Sequence, residues 1–257
     1  MSTLPPQAVA PRALILAAGV GNRLGNGRPS GEHLPKVLLR LGGRSLLARH
    51  LDTLHGAGVH DVSIVVGYRE QDIRAELGGR AGAPARLVVN PDFRKGSIVS
   101  LDAGLRSLEG GRPLILMDGD VLYDPQLMTR LLRSDKPNCL LLDRDIEPGD
   151  EPVKLCVSGS HIVDFHKRPQ IAHEWHGESV GFFRFAADAV AELARRTQDY
   201  VGSGRTGLEY EEAIRDMILA SPKERFGFED ISGLPWTEID FPEDLAKAEA
   251  LLPALTA

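Results

Sequence analysis

Two stretches of the sequence combine residue types that handle phosphate. The first is Leu16-Ala17-Ala18-Gly19-Val20-Gly21-Asn22-Arg23-Leu24, followed further on by Pro35-Lys36. Glycines after a strand let backbone N–H groups approach phosphate oxygens with no Cβ in the way. Arg23 and Lys36 would add positive charge around the same anion. The glycines alone describe an ordinary tight turn equally well. The dinucleotide fingerprint G-x-G-x-x-G fails because position 24 is Leu, and no G-x-x-x-x-G-K-[ST] run exists, so a P-loop is excluded. The second stretch is Asp118-Gly119-Asp120, which ends the apolar run 113–117. Far downstream, Asp240 closes Trp236-Thr237-Glu238-Ile239-Asp240. Open α/β sheets bind ligands at the carboxyl ends of their strands, and carboxylate oxygens suit Mg²⁺ bridging phosphates. Any one of these acids, taken alone, reads as a turn or cap residue.

The second half carries candidates for holding a phosphorylated acceptor. Lys154 begins one short apolar run and Lys167 ends the next, so the two lysines could clamp a phosphomonoester as point charges. Surface lysines on a hairpin are the plainer reading of both. Glu178, Tyr210 and Trp236 lie in nearby segments, with Trp175, Ser179, Arg205 and Glu209. Three aromatics and two glutamates suit a caged quaternary ammonium, and Glu178, Ser179 and Arg205 suit a polyol. His173 and His176 are spaced three apart, unlike a zinc peptidase helix, and read as loop histidines. Cys139 and Cys156 read as small core residues.

These groups need a scaffold, and the chain spells one out. Apolar runs at 12–18, 62–66, 86–89, 113–117 and 139–142 predict buried strands. Between them the spacing predicts helices at 46–54, 70–77, 98–108 and 125–133, the first capped by Ser45. Such alternation predicts a mainly parallel sheet with helices on both faces. Past Asp143 the texture changes. A hairpin is expected from 153–157 and 161–165 about Ser158-Gly159-Ser160. A strand follows at 180–185, then helices at 187–196 and 210–219, short strands at 226–228 and 237–239, and a closing helix from Pro242 to 252. Residues 202–207 read as a flexible loop. Residues 1–11 read as a loose lead-in. Residues 12–257 read as a single α/β domain, 12–143 binding nucleotide and 144–257 building a β-rich acceptor lobe.

Composition narrows the class. The chain has 257 residues, 42% of them hydrophobic, enough for a sizeable core, and a net charge of -6. That acidity argues against a general nucleic-acid surface. Two cysteines allow neither a disulfide framework nor a four-cysteine zinc site. No apolar run approaches the roughly 18–20 residues of a membrane span, and the start lacks the features of a signal peptide. A cytoplasmic protein without membrane insertion is expected, and a homodimer is an open expectation.

The run L-A-A-G-x-G-x-R-L with Pro35-Lys36 resembles the signature of the nucleotidyltransferase (pyrophosphorylase) superfamily. The later elements, around Val153-Lys154-Leu155, Lys167 and Gly181-Phe182-Phe183, resemble its alcohol-phosphate cytidylyltransferases. This resemblance implies a Rossmann-like fold and Mg²⁺-dependent transfer of CMP from CTP to a phosphorylated polar alcohol, of phosphocholine, inositol-phosphate or aminoethylphosphonate type. It implies Arg23, Lys36, Asp120 and Asp240 as catalytic residues, with Asp120 and Asp240 holding the metal. Leu16, Ala17, Ala18, Gly19, Gly21, Asn90, Ser100 and a supporting Asp118 would meet the nucleotide. Lys154, Lys167, Glu178, Tyr210 and Trp236 would meet the acceptor. A sugar-1-phosphate nucleotidyltransferase is the nearest rival. A haloacid-dehalogenase-type phosphatase, with Asp118 as nucleophile, and a nucleotide sensor without turnover are more remote.

Overall fold

The computed structural model describes residues 10–24, 33–79, 85–146, 149 and 151–255. The first half runs β1 (Arg12–Ala17), a 3-10 turn (Lys36–Leu38), β2 (Arg40–Leu41), β3 (Arg44–Ser45), α1 (Leu46–Gly56), β4 (Val62–Val66), α2 (Glu70–Gly78), β5 (Ala85–Val89), α3 (Ser97–Arg106) and β6 (Leu114–Asp118). There follow β7 (Val121–Tyr123), α4 (Gln126–Arg133), β8 (Cys139–Asp143), β9 (Lys154–Ser158), β10 (His161–His166) and β11 (Trp175–Phe185). The chain closes with α5 (Ala187–Gly202), α6 (Glu211–Leu219), β12 (Gly227–Asp230), β13 (Trp236–Glu238) and α7 (Pro242–Leu251).

The main sheet has nine strands in the order β10-β9-β11-β6-β1-β4-β5, with β8 joined to β11 and β12 to β8. Strands β6, β1, β4 and β5 are parallel, whereas β11 runs antiparallel to β6, β8 and β9. Alternate residues of the central strands feed opposite faces, which is why these strands read as continuous apolar runs. Leu14 and Leu116 pack with Leu101 of α3, Leu193 of α5 and Met217 of α6. Ile15 and Ile115 pack on the other face with Leu51 of α1, Ile73 of α2 and Leu131 of α4. The expected α/β architecture with helices on both faces is therefore present.

Three details depart from the sequence expectations. Strand β11 starts at Trp175, not at 180, because its polar first half (Trp175–Glu178) pairs with β9 beyond the edge of β6. The pattern there lacks apolar alternation, so periodicity could not reveal it. Helix α5 continues to Gly202, taking the first residue of the stretch read as a loop. The short strands β2, β3 and β7 were not expected; each has only two or three residues. Residues 1–9 and 25–32, including most of the lead-in, lie outside the described residues.

The predicted cap on α1 is formed: Ser45 Oγ accepts from the Ala48 N–H at 3.1 Å and donates to Glu76 Oε1 at 2.6 Å. Ser45 is fully buried, so its removal leaves a helix N–H without a partner. Ser45→Ala is expected to lower stability by about 1 kcal/mol, read from urea unfolding; an unchanged midpoint would contradict the capping role.

Candidate active site

In the sheet, β1 is flanked by β4 on one side and β6 on the other, so the chain reverses its direction of travel across the sheet between β1 and β6. That is where an open α/β sheet leaves a crevice. The register sets Leu16 beside Asp118, placing the glycine turn and the Asp118–Asp120 turn side by side. A cleft of about 980 Å³ opens over them. Leu16, Ala18, Gly19, Gly21, Ser100, Asp118, Asp120 and Asp240 line it, and so do Lys167, Glu178, Tyr210 and Trp236.

Backbone bonds bring Asp240 to Asp120. Strand β13 pairs antiparallel with β7, Glu238 opposite Val121, and the Ile239 N–H donates to Asp120 O at 3.0 Å. Beyond it, Asp244 Oδ2 accepts from the N–H groups of Asp240 (2.9 Å) and Phe241 (2.7 Å), fixing the turn into α7. Opposite them stands Lys36, on a 3-10 turn anchored by buried Val37 and Leu38. Its Nζ donates to Asp120 Oδ2 at 3.0 Å and to Asp240 Oδ1. Arg23 reaches Asp240 Oδ2 at 2.7 Å and Glu151 Oε2 at 2.9 Å. Burial works to lower the Lys36 pKa, but Asp120 and Asp240 outweigh it and hold the ammonium well above the usual lysine range. Gly21 has φ +70°, and a Cβ there would come 3.1 Å from Lys36 Cγ, so the turn is glycine for conformation and for space.

Asp120, Glu238 and Asp240 each offer a carboxylate oxygen, and the three atoms lie within 4.8 Å of one another. An all-oxygen donor set from three carboxyl groups suits a hard divalent cation. Glu238 was not singled out in the sequence. The signal was available: residues two apart along β13 and its continuation share a side, so Glu238 accompanies Asp240.

Asp118 is braced rather than bare. Tyr210 Oη donates to its Oδ2 at 2.7 Å, and Gly181 (φ +77°) leaves room for that oxygen, since a Cβ would sit 2.3 Å from it. Burial, then the charges of Asp120 and Glu211, push the Asp118 carboxyl well above its usual range. Beneath the turn, His50 is fully buried and its Nε2 lies 3.1 Å from Gly119 O. A carbonyl only accepts, so Nε2 carries the proton. Burial pushes the imidazole pKa down to about 4, and the Gly119 bond opposes this only in part.

The remaining expected residues divide. Asn90 is 2% exposed and does not line the cleft; its Nδ2 donates to Ser100 Oγ at 3.0 Å, and Ser100 does line it. Ala17 faces away as well. Lys154 is not a cleft residue, a correction to the two-lysine clamp. Its ammonium donates to the carbonyls of Gly149 (2.9 Å), Pro152 (3.5 Å) and Lys167 (2.9 Å), tying down the backbone that carries Lys167. Lys167 itself pairs with Glu209 at 2.8 Å and Glu151 at 3.7 Å. Trp236 Nε1 donates to Asp143 Oδ2 at 2.6 Å. Trp175 does not line the cleft; Arg144 lies 4.2 Å over its ring and Phe228 packs 5.6 Å away. An aromatic cage that includes Trp175 is therefore not formed. His173 and His176 contact each other at 3.1 Å outside the cleft, and both cysteines are buried.

A sheet crevice, a glycine turn and a carboxylate cluster facing two cations thus meet in one cleft. The chain belongs to the MobA-like NTP transferase domain family, whose model matches residues 13–197. It is 31% identical over 244 residues to a bifunctional IPC transferase and DIPP synthase of Rubrobacter xylanophilus, covering 93% of this chain and 51% of that one. It is 32% identical over 263 residues to a CMP-5'-(3-aminopropyl)phosphonate synthase of Streptomyces rubellomurinus, covering 95% and 39%. The chain thus spans about half the length, or less, of these curated relatives. Its fold matches that of an inositol-1-phosphate CTP transferase from T. maritima with a TM-score of 0.74 at 19% identity, over 98% of this chain and 100% of that one.

Two outcomes follow from the supports under the acidic turn. Because the folded His50 pKa lies below the ordinary 6.5, its contribution to stability is present above pH 6.5 and is lost as pH falls towards 4. NMR should find the His50 ring titrating near 4; a midpoint near 6.5 would contradict its burial. Gly181→Ala should cost about 1–3 kcal/mol in urea unfolding, and wild-type stability would show that Asp118 yields freely.

Proposed function

We propose that the chain transfers a cytidylyl group from CTP to a phosphorylated polar alcohol or phosphonate, releasing pyrophosphate. One observation carries this reading: Lys36 and Arg23 converge on Asp240, and Lys36 also on Asp120, beside a glycine turn, in a cleft that continues to Lys167. The named activities of the relatives, which involve CTP or CMP with phosphonate and inositol-phosphate acceptors, support the choice of base and acceptor class. Residues 12–143 form the nucleotide side in this reading and 144–257 the acceptor side. Mg²⁺ held by Asp120, Asp240 and Glu238 would neutralise phosphate charge and polarise the α-phosphoryl group.

The chemistry asks for no protein nucleophile. The glycine turn Gly19–Gly21 receives the triphosphate through backbone N–H groups, while Arg23 and Lys36 supply charge to it. Lys167, steadied from behind by Lys154, holds the acceptor phosphate. One of that phosphate's oxygens attacks the α-phosphorus, the bond from α-phosphorus to the bridging oxygen breaks, and pyrophosphate departs with the electron pair. Catalysis comes from position and charge neutralisation. The cytoplasm is the compartment this reading implies, and no described helix is long and apolar enough to cross a membrane.

Pyrophosphate release, followed over four nucleoside triphosphates and then over phosphorylated alcohols, phosphonates and hexose 1-phosphates, tests the proposal. Preference for CTP with an alcohol phosphate or phosphonate is expected. Preference for UTP or dTTP with a hexose phosphate would replace it with sugar activation. Asp120→Asn and Asp240→Asn should each lower kcat/KM about 10²–10³-fold. A phosphatase acting through Asp118 would instead be abolished by Asp118→Asn and release inorganic phosphate without CTP.

A further inference from the structure

Lys36 and Arg23 occupy the same carboxylate oxygens that a divalent cation would use. Lys36 engages Asp120 Oδ2 and Asp240 Oδ1, and Arg23 engages Asp240 Oδ2. Three of the four oxygens on Asp120 and Asp240 are thereby paired with the chain's own cations. The Lys36 side chain is only 14% exposed, so its pairs are shielded from the solvent and salt that weaken surface ion pairs. Its place is fixed: Val37 and Leu38 are in the core, and the Gly21 backbone packs against its stem. Gly21 belongs to the turn that would receive a triphosphate, so that anion would compete with the two aspartates for the same ammonium.

We propose that Lys36, assisted by Arg23, keeps the carboxylate cluster closed to a free divalent cation, so that the site takes the metal only together with a triphosphate. The ligand class is the metal–nucleoside triphosphate complex, and the free ion is rejected. Entry of the complex is an exchange of partners. Lys36 and Arg23 pass from carboxylate to phosphate while the carboxylates pass to the metal, and no buried charge is left alone. Metal and triphosphate therefore bind with positive coupling, each raising the affinity of the other by the same factor. The inference rests on the proposed function only in taking Asp120, Glu238 and Asp240 as the metal site; neither the base nor the acceptor enters.

Manganese alone, without nucleotide, is the direct probe, with free Mn²⁺ counted by electron paramagnetic resonance and folding checked by circular dichroism. Lys36→Met should bind Mn²⁺ about tenfold or more tightly than wild type, because a positive charge at contact distance has been removed. Lys36→Arg keeps the charge and should stay near wild type. Arg94→Met removes a charge elsewhere in the cleft and should shift the affinity by no more than about twofold. Adding Asp240→Asn to Lys36→Met should abolish the gain. Equal affinity in wild type and Lys36→Met, or an equal gain in Arg94→Met, would overturn the inference. Failure of every protein to hold Mn²⁺, with CTP present as well as absent, would overturn it together with the metal reading of the cluster.

Discussion

Asp120 and Asp240 carry like charge, come from the middle and the end of the chain, and would repel one another if left to their side chains. What keeps them together is backbone: the short ladder between β7 and β13 and the bond from Ile239 N–H to Asp120 O. Lys36 then makes the arrangement tolerable by lying between the two carboxylates. A pair of acids held at close range by a rigid ladder has a standing demand for positive charge. In this molecule that demand is met by a lysine whose own position is fixed by a core-anchored turn and by a glycine bend. The remainder of the sheet serves to hold β1 beside β6 so that the glycine bend, the acidic turn and the lysine face one cleft.

Much of this arrangement was legible in the sequence, for identifiable reasons. Buried parallel strands are apolar on both faces, so β1, β4, β6 and β8 announce themselves as short apolar runs bounded by turns. Ser45 ahead of an amphipathic stretch marked the start of α1, and the side-chain cap is formed. The acids at 118, 120 and 240 and the cations at 23 and 36 stood in stretches of recognisable type. Less was legible where tertiary contacts decide. The first half of β11, Trp175 to Glu178, pairs with β9 and shows no apolar alternation to betray it. Strands of two or three residues, such as β7, carry no periodic signal at all. Glu238 went unremarked although its spacing of two from Asp240 was there to be read.

The two lysines of the second half show how residue type alone misleads. Lys154 and Lys167 look equivalent on neighbouring strands, yet the first spends its three N–H groups on backbone carbonyls while the second faces the cleft. Direction of a long side chain is settled by the nearest unsatisfied acceptors, and these appear only when the loop before β9 is folded. Tyr210 likewise reaches Asp118 with its hydroxyl and lines the cleft, joining α6 to the acidic turn. Its backbone N–H meets Ser97 Oγ at 2.9 Å, which ties the start of α6 to the start of α3. The two sides of the cleft are therefore cross-braced through one residue.

In the proposed reaction a metal-bound triphosphate is gripped between the paired aspartates and the glycine bend. A crystal soaked with CTP and Mn²⁺, with data collected at the manganese absorption edge, tests it most directly. The anomalous peak is expected within bonding distance of Asp120, Glu238 and Asp240, with the triphosphate along residues 19–23 and Lys36 turned to its phosphates. A peak elsewhere, or a nucleotide that leaves that bend untouched, would contradict the claim.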